Sequence, residues 1–191
     1  MLQVVLGLNA GMFVAELGAG LLAHSTALVA DSVDMLGDAI VYGFSLWVIA
    51  RGARWQARGA LLKGGIMAAF GVGVLIEVAI KVAWGVVPSA EVMGGVGVVV
   101  VAANVACLLL LSRHRDDDIN MRSAWLCSRN DVVAGAGVLV AAGAVAWTGA
   151  AWPDIATGLL IAALFGRSAI EVIRGAVREL RLVDGPAVRT P

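Results

Sequence analysis

The sequence predicts an all-α fold, a polytopic membrane protein built as a six-transmembrane-helix bundle, and three observations carry that prediction. The chain is 60% hydrophobic and only 15% charged, far from the balance of a water-soluble domain. It divides into apolar runs of about 20 residues, the length a helix needs to cross the hydrocarbon core. Its lysines and arginines gather in alternate connections instead of spreading evenly. The first apolar run follows Met1 with no basic stretch before it, which speaks against a cleavable signal peptide.

Span one is Leu2 to Ala23, in which Gly7 and Gly11 are spaced for close helix approach. Span two, Ala27 to Ala50, holds Asp31, Asp34 and Asp38. Span three, Ala60 to Val87, ends at Pro88 and Ser89, a stop followed by a helix cap. Within it Glu77 stands one turn before Lys81, at the spacing of an ion pair or of a residue on a proton or ion path. Span four, Val92 to Ser112, contains Asn104, expected to bridge helices, and Cys107, expected as a small buried thiol. Span five, Ser123 to Thr148, carries Cys127, Arg129 and Asp131. Span six, Asp154 to Ile173, starts after Trp152 and Pro153, and Arg167 to Arg181 then keep the rhythm of an interfacial helix. A transmembrane domain over 1–175 and a short tail over 176–191, with no soluble domain, follow from this division. Every tryptophan, from Trp47 to Trp152, falls near a span end, where an amphipathic ring favours the interface.

Orientation follows from the basic residues. Arg51, Arg54 and Arg58 follow span two, Arg113, Arg115 and Arg122 follow span four, and Arg167, Arg174, Arg178, Arg181 and Arg189 lie at the end. The positive-inside rule places these regions and both termini in the cytoplasm. Arginine in preference to lysine, with much Ala, Gly and Val, suggests a bacterial inner membrane and a GC-rich genome. The partner expected from this composition is the lipid bilayer, with no nucleic acid. Nothing resembles an activated nucleophile with its base, so no enzyme and no organic cofactor is expected.

The chemistry concentrates in ADSVDMLGD, Ala30 to Asp38. Asp34 and Asp38 are four residues apart, so both carboxylates leave one helix face, about 6 Å apart along the axis. Each costs roughly 2.5–3.5 kcal/mol at the centre of a membrane helix. A bound cation, a proton, a basic partner or cavity water must offset that cost. Span five repeats the spacing with Cys127 and Asp131. Three carboxylates and a thiolate suit a tetrahedral transition metal such as zinc better than magnesium or calcium. Polar groups bonded between helices, or a proton relay, would use the same residues.

Asn9, Glu16, Ser25 and ADSVDMLGD together resemble the amino-terminal signature of the cation diffusion facilitators, in which a His or Asp and an Asp four residues further on form half of a transport site. NMRSAWLCSRND resembles the second half: Asn120, Met121, Arg122 and Asp131 match, and Cys127 stands where histidine is expected. The resemblance covers nearly the whole chain through span six. It implies a homodimeric transporter that exports zinc or a related divalent metal, cadmium or cobalt among them, in exchange for protons. The implied site is Asp34, Asp38, Cys127 and Asp131, with Glu16 and Asp31 at accessory acidic positions.

Several departures from the pattern carry consequences. Cys127 in place of histidine softens the site toward thiophilic ions. The cytoplasmic metal-binding domain usual after span six is not expected here, so dimerisation would rest on membrane helices. RHRDDD lacks a histidine-rich tract, and Asp116, Asp117 and Asp118 are read as a solvated surface. Arg129, two residues from both Cys127 and Asp131, should point about 200° away from the ligand face and seek a partner in Glu16, Glu77 or a lipid phosphate. Turned inward it would compete with metal. In low dielectric, mutually repelling carboxylates hold protons when no metal is bound, and metal binding releases them. The alternative function is a non-transporting metal sensor, or a dimerisation partner of a full-length transporter.

Overall fold

The structure is a computed structural model that describes residues 2–48, 53–113 and 119–184. Among the described residues are six helices and no strand: α1 (Leu2–Ala23), α2 (Thr26–Val48), α3 (Ala53–Trp84), α4 (Ala90–Ser112), α5 (Ile119–Thr148) and α6 (Trp152–Asp184). Each expected span therefore forms. The largest shifts are at α3, which starts at Ala53 rather than Ala60, and α5, which starts at Ile119 rather than Ser123, so that Arg54 and Arg58 belong to the first turns of α3 rather than to a loop. There the Arg58 guanidinium lies 5.9 Å from the centre of the Trp55 ring, a cation stacked on an aromatic face. The stretch from Arg167 to Arg181, which keeps the rhythm of an interfacial helix, is helical as the continuation of α6, which runs unbroken for 33 residues. Its Ala, Arg, Glu and Leu favour helix, and no proline interrupts them.

The outside of the bundle is apolar and much of the inside is polar, the reverse of a protein folded in water. Leu22, Val72, Val82, Leu109, Val140 and Leu164 are exposed, whereas Asn9, Glu16, Asp31, Asp38, Lys81, Asn104, Asp131 and Asp154 are buried. Five helices are long and apolar enough to cross a membrane. The sixth, α2, has 23 residues, roughly 35 Å of helix, and is set apart by its three aspartates. The chain is thus a multi-pass membrane protein with lipid as its outer solvent.

Three short turns gather at one end of the bundle, here the hairpin end. In the first, His24 takes φ 52° while the Ser25 N–H closes onto the Gly20 carbonyl at 2.8 Å. The second and third use Gly85 (φ 66°) and Gly149 (φ 63°), left-handed positions that glycine fills without strain. Ser89 caps α4 as expected, accepting from the Val92 N–H, and its own N–H reaches the Ala23 carbonyl at 3.0 Å, tying this turn to the end of α1. Trp84, Trp147 and Trp152 stand exposed at the same end, as interfacial rings should.

The closest helix pairs are α3 with α6, α1 with α2, and α4 with α5. An apolar core built on Leu28, Val74, Met93, Val138, Val145 and Ile161 fills the bundle towards the hairpin end. Below it, α2 runs between its neighbours and carries the acidic row.

Candidate functional site

Asp31, Asp34 and Asp38 occupy successive turns of α2, where three- and four-residue spacings keep them on one side of the helix. That side faces inward: Asp31 is fully buried, Asp38 nearly so, and Asp34 half-buried. From α5, Asp131 is buried opposite them and interacts with Asp38, Asp34 and Asp31, with Asp34 within side-chain hydrogen-bonding reach. Gly135, one turn further along α5, lets α5 lie close to α4, since a Cβ there would stand 3.0 Å from Val101 Cγ2, and the same point is 3.9 Å from Asp31 Oδ2. From α1, Glu16 lies beside Asp31 and is also fully buried. Three helices therefore deliver five carboxyl groups to one interior region.

Among the described residues, neither oxygen of Glu16 and neither of Asp31 has a hydrogen-bond partner. Buried polar groups are nearly always paired, and an unpaired one costs several kcal/mol in an apolar surrounding, by the order of magnitude of transfer experiments. Carboxyl groups packed this closely also repel one another unless cations or protons stand between them. The arrangement is costly as bare protein and suited to a positively charged ligand. Among the described residues, however, no three His, Cys, Asp or Glu side chains form a set arranged to hold a metal ion. The Cys127 side chain lies outside the described residues, although its backbone sits on α5 one turn before Asp131. Asp116, Asp117 and Asp118 also lie outside them.

Arg129 is exposed, with its guanidinium 5.7 Å from the centre of the Trp125 ring. This is the outward direction expected from its helix position, and its neighbour is an aromatic face on the same helix rather than Glu16 or Glu77. Cys107 is a buried free thiol, as expected. Asn104 does link α4 to α5, but through its backbone carbonyl, which accepts from Ser128 Oγ at 3.3 Å, while its side-chain Nδ2 has no partner among the described residues.

Glu77 is not brought to the acidic region. It stands towards the hairpin end, 4.0 Å from Lys81 Nζ, whose principal contact is Asp154 Oδ2 at 2.6 Å. The expected Glu77–Lys81 pair is thus secondary to a buried pair between α3 and α6. Sequence reasoning read Asp154 only as a helix start. The available signal was a single lysine deep in an apolar span, which must find an anion somewhere at its own depth.

The geometry agrees with what comparison of sequences finds. A family model described as the cation efflux transmembrane domain matches residues 2–181. The chain is similar to the metal cation efflux system protein CzcD of Cupriavidus metallidurans, 28% identical over 172 residues, which is 84% of this chain and 54% of that protein. It is also similar to the zinc transporter ZitB of Escherichia coli, 27% identical over 187 residues, covering 91% of this chain and 60% of that one. The chain therefore spans little more than half the length of these relatives.

Proposed function

Because the chain belongs to the cation efflux transmembrane domain family, we propose that it moves a divalent transition-metal cation across a bacterial cell membrane in exchange for protons. The observation that carries this reading is the convergence of Glu16, Asp31, Asp34, Asp38 and Asp131 within an otherwise apolar bundle, with no N–H or O–H donor among the described residues reaching the adjacent Glu16 and Asp31 carboxyls. The names of the relatives, a metal cation efflux protein and a zinc transporter, support the substrate class.

In this reading Asp34, Asp38 and Asp131 supply oxygen ligands and Cys127 supplies sulfur, a donor set that favours zinc, cadmium or cobalt over the alkaline-earth ions. Glu16 and Asp31 take up and pass protons beside the metal ligands. Glu77, held near Lys81, has no part in that path. Metal arriving from the cytoplasm displaces protons from the carboxyls, because the ligands must be deprotonated to coordinate. Exposure to the other side reloads the carboxyls with protons and expels the metal. Both termini are cytoplasmic in this scheme, and two copies form a homodimer.

Flux into proteoliposomes under an imposed proton gradient tests the proposal, with zinc, cadmium, cobalt and manganese compared in parallel. Gradient-driven flux that vanishes in Asp38→Ala is the expected result. Binding without flux in the parent would refute transport and favour a sensor or a partner subunit. Zinc titration in weakly buffered detergent solution should release protons, and no release would refute the coupling.

A further inference from the structure

Asp154, in the first turn of α6, is a fully buried carboxylate that accepts four hydrogen bonds. Oδ1 accepts from Ser25 Oγ at 2.6 Å and from the Ala27 N–H at 3.1 Å. Oδ2 accepts from the Thr26 N–H at 2.8 Å and from Lys81 Nζ at 2.6 Å. An ionised carboxylate offers about four acceptor sites, so all are used. Lys81 also donates to Thr26 Oγ1 at 2.8 Å, and Ser25 Oγ accepts from the Leu28 N–H at 3.2 Å. The first amides of α2, which a helix leaves unsatisfied, are thus capped by a residue from α6 together with the helix's own serine.

A second contact follows one turn along α6. A Cβ on Gly158 would stand 2.7 Å from Thr26 Cγ2 and 2.8 Å from the Thr26 carbonyl carbon and oxygen. Backbone meets backbone there, so α6 holds the first turn of α2 both by hydrogen bonds and by contact. The acidic row begins five residues further along the same helix, at Asp31. A helix is stiff over that length, so a rotation at Thr26 is carried to Asp34 and Asp38, roughly 12 and 18 Å away.

We infer that Asp154 is a positioning residue for the transport site: by capping α2 from α6 it fixes the rotation and height of the helix that presents Asp31, Asp34 and Asp38. Lys81 balances its charge and ties in α3. The metal readout of this inference rests on the function proposed above; the backbone readout does not.

The test uses the full chain in detergent, with Asp154→Asn, Lys81→Gln and Gly158→Ala. Asp154→Asn turns one accepting oxygen into a donor facing donors, which breaks the cap. Lys81→Gln keeps the cap and removes the counter-charge, so it should cost at least as much thermal stability. Asp154→Asn is expected to weaken zinc binding by about tenfold, the scale of supporting-residue effects at metal sites, and to speed amide hydrogen exchange through residues 31–38 of metal-free protein. Lys81→Gln should bind zinc within about twofold of the parent and leave that exchange unchanged. Parent-like binding and exchange in Asp154→Asn, or affinity losses that merely track the loss of Tm in both variants, would overturn the inference. If Asp154→Asn fails to fold, Gly158→Ala decides: it keeps both charges and must reproduce the faster exchange and weaker binding. Should the parent bind no zinc, the proposed function falls, and the exchange comparison alone still decides the role of Asp154.

Discussion

Replacing Gly20 by alanine should cost stability that the same change at Gly97 does not, and the difference can be worked from what each new methyl meets. At Gly20 a Cβ would stand 2.9 Å from the Val29 backbone nitrogen, 2.8 Å from Val29 Cγ2 and 3.1 Å from Leu28 Cβ. Backbone cannot rotate away, so α1 and α2 must part, at a typical overpacking cost of about 1–3 kcal/mol. At Gly97 the obstacle is the tip of Leu139, with Cδ2 at 2.8 Å and Cγ at 3.3 Å. A leucine can shift its rotamer for about 0.5–1.5 kcal/mol. Both changes recover about 1 kcal/mol of helix propensity. Gly97→Ala should therefore be close to neutral and Gly20→Ala destabilised by up to about 2 kcal/mol. Equilibrium unfolding of detergent-solubilised protein measures both. Because Gly20 lies one turn from Glu16 on the helix that faces Asp31, Gly20→Ala should also weaken metal binding, and Gly97→Ala should not. A larger stability loss at Gly97, or equal losses at both positions, would refute the distinction between backbone and side-chain obstacles.

Asp34→Asn, Asp38→Asn and Asp131→Asn are each expected to abolish gradient-driven metal flux, while Glu77→Gln retains at least about half of it, since Glu77 stands beside Lys81 rather than among the carboxyls; proteoliposome uptake reads all four. Cys127→His should remain active but shift preference from cadmium towards zinc by about tenfold, as expected when a soft thiolate gives way to imidazole, and competition uptake would reveal it. Arg129→Ala should leave flux within about twofold of the parent because its guanidinium lies over Trp125 on the outside of the bundle. A large gain of flux in that variant would mean that Arg129 reaches the ligand side.

The helices and the acidic row were legible in the sequence because both depend on local period. Apolar runs of spanning length fix the helix count, and the spacing of Asp31, Asp34 and Asp38 fixes a common side of α2. The outward direction of Arg129 followed from the same arithmetic. Helix ends were less legible: α3 takes in Arg54 and Arg58, and α6 runs on to Asp184, because arginine sustains a helix whether lipid or water surrounds it. Asp154 was missed because its partners, Ser25, Thr26 and Lys81, are 73 to 129 residues away in the chain. No period connects such positions; only the packing of α2, α3 and α6 does.

The contrast between Asp154 and the pair Glu16 and Asp31 separates two uses of buried charge. All three are 0% exposed, so all suffer the same loss of water. Asp154 regains it from four donors, one of them the Lys81 cation, and is therefore compatible with one fixed structure. Glu16 and Asp31 have no N–H or O–H donor from the rest of the described protein and only each other's carboxyl beside them. A carboxyl that is structural can be satisfied permanently, and folding favours sequences that do so. A carboxyl whose partner arrives and leaves cannot be, because any protein donor close enough to satisfy it would compete with the ion or proton it must exchange. The unsatisfied groups thus lie where cargo would pass, and the satisfied one lies where the helix carrying them is anchored. If a donor were placed beside Asp31, for example by Gly135→Ser, whose Cβ position is 3.9 Å from Asp31 Oδ2 and 3.0 Å from Val101 Cγ2, the serine should be more stable than Gly135→Ala, which meets the same crowding, by on the order of 1 kcal/mol for a made hydrogen bond, and should lose exchange rate. A serine variant more stable than the alanine one, with undiminished flux, would show that Asp31 takes no part in the ion path.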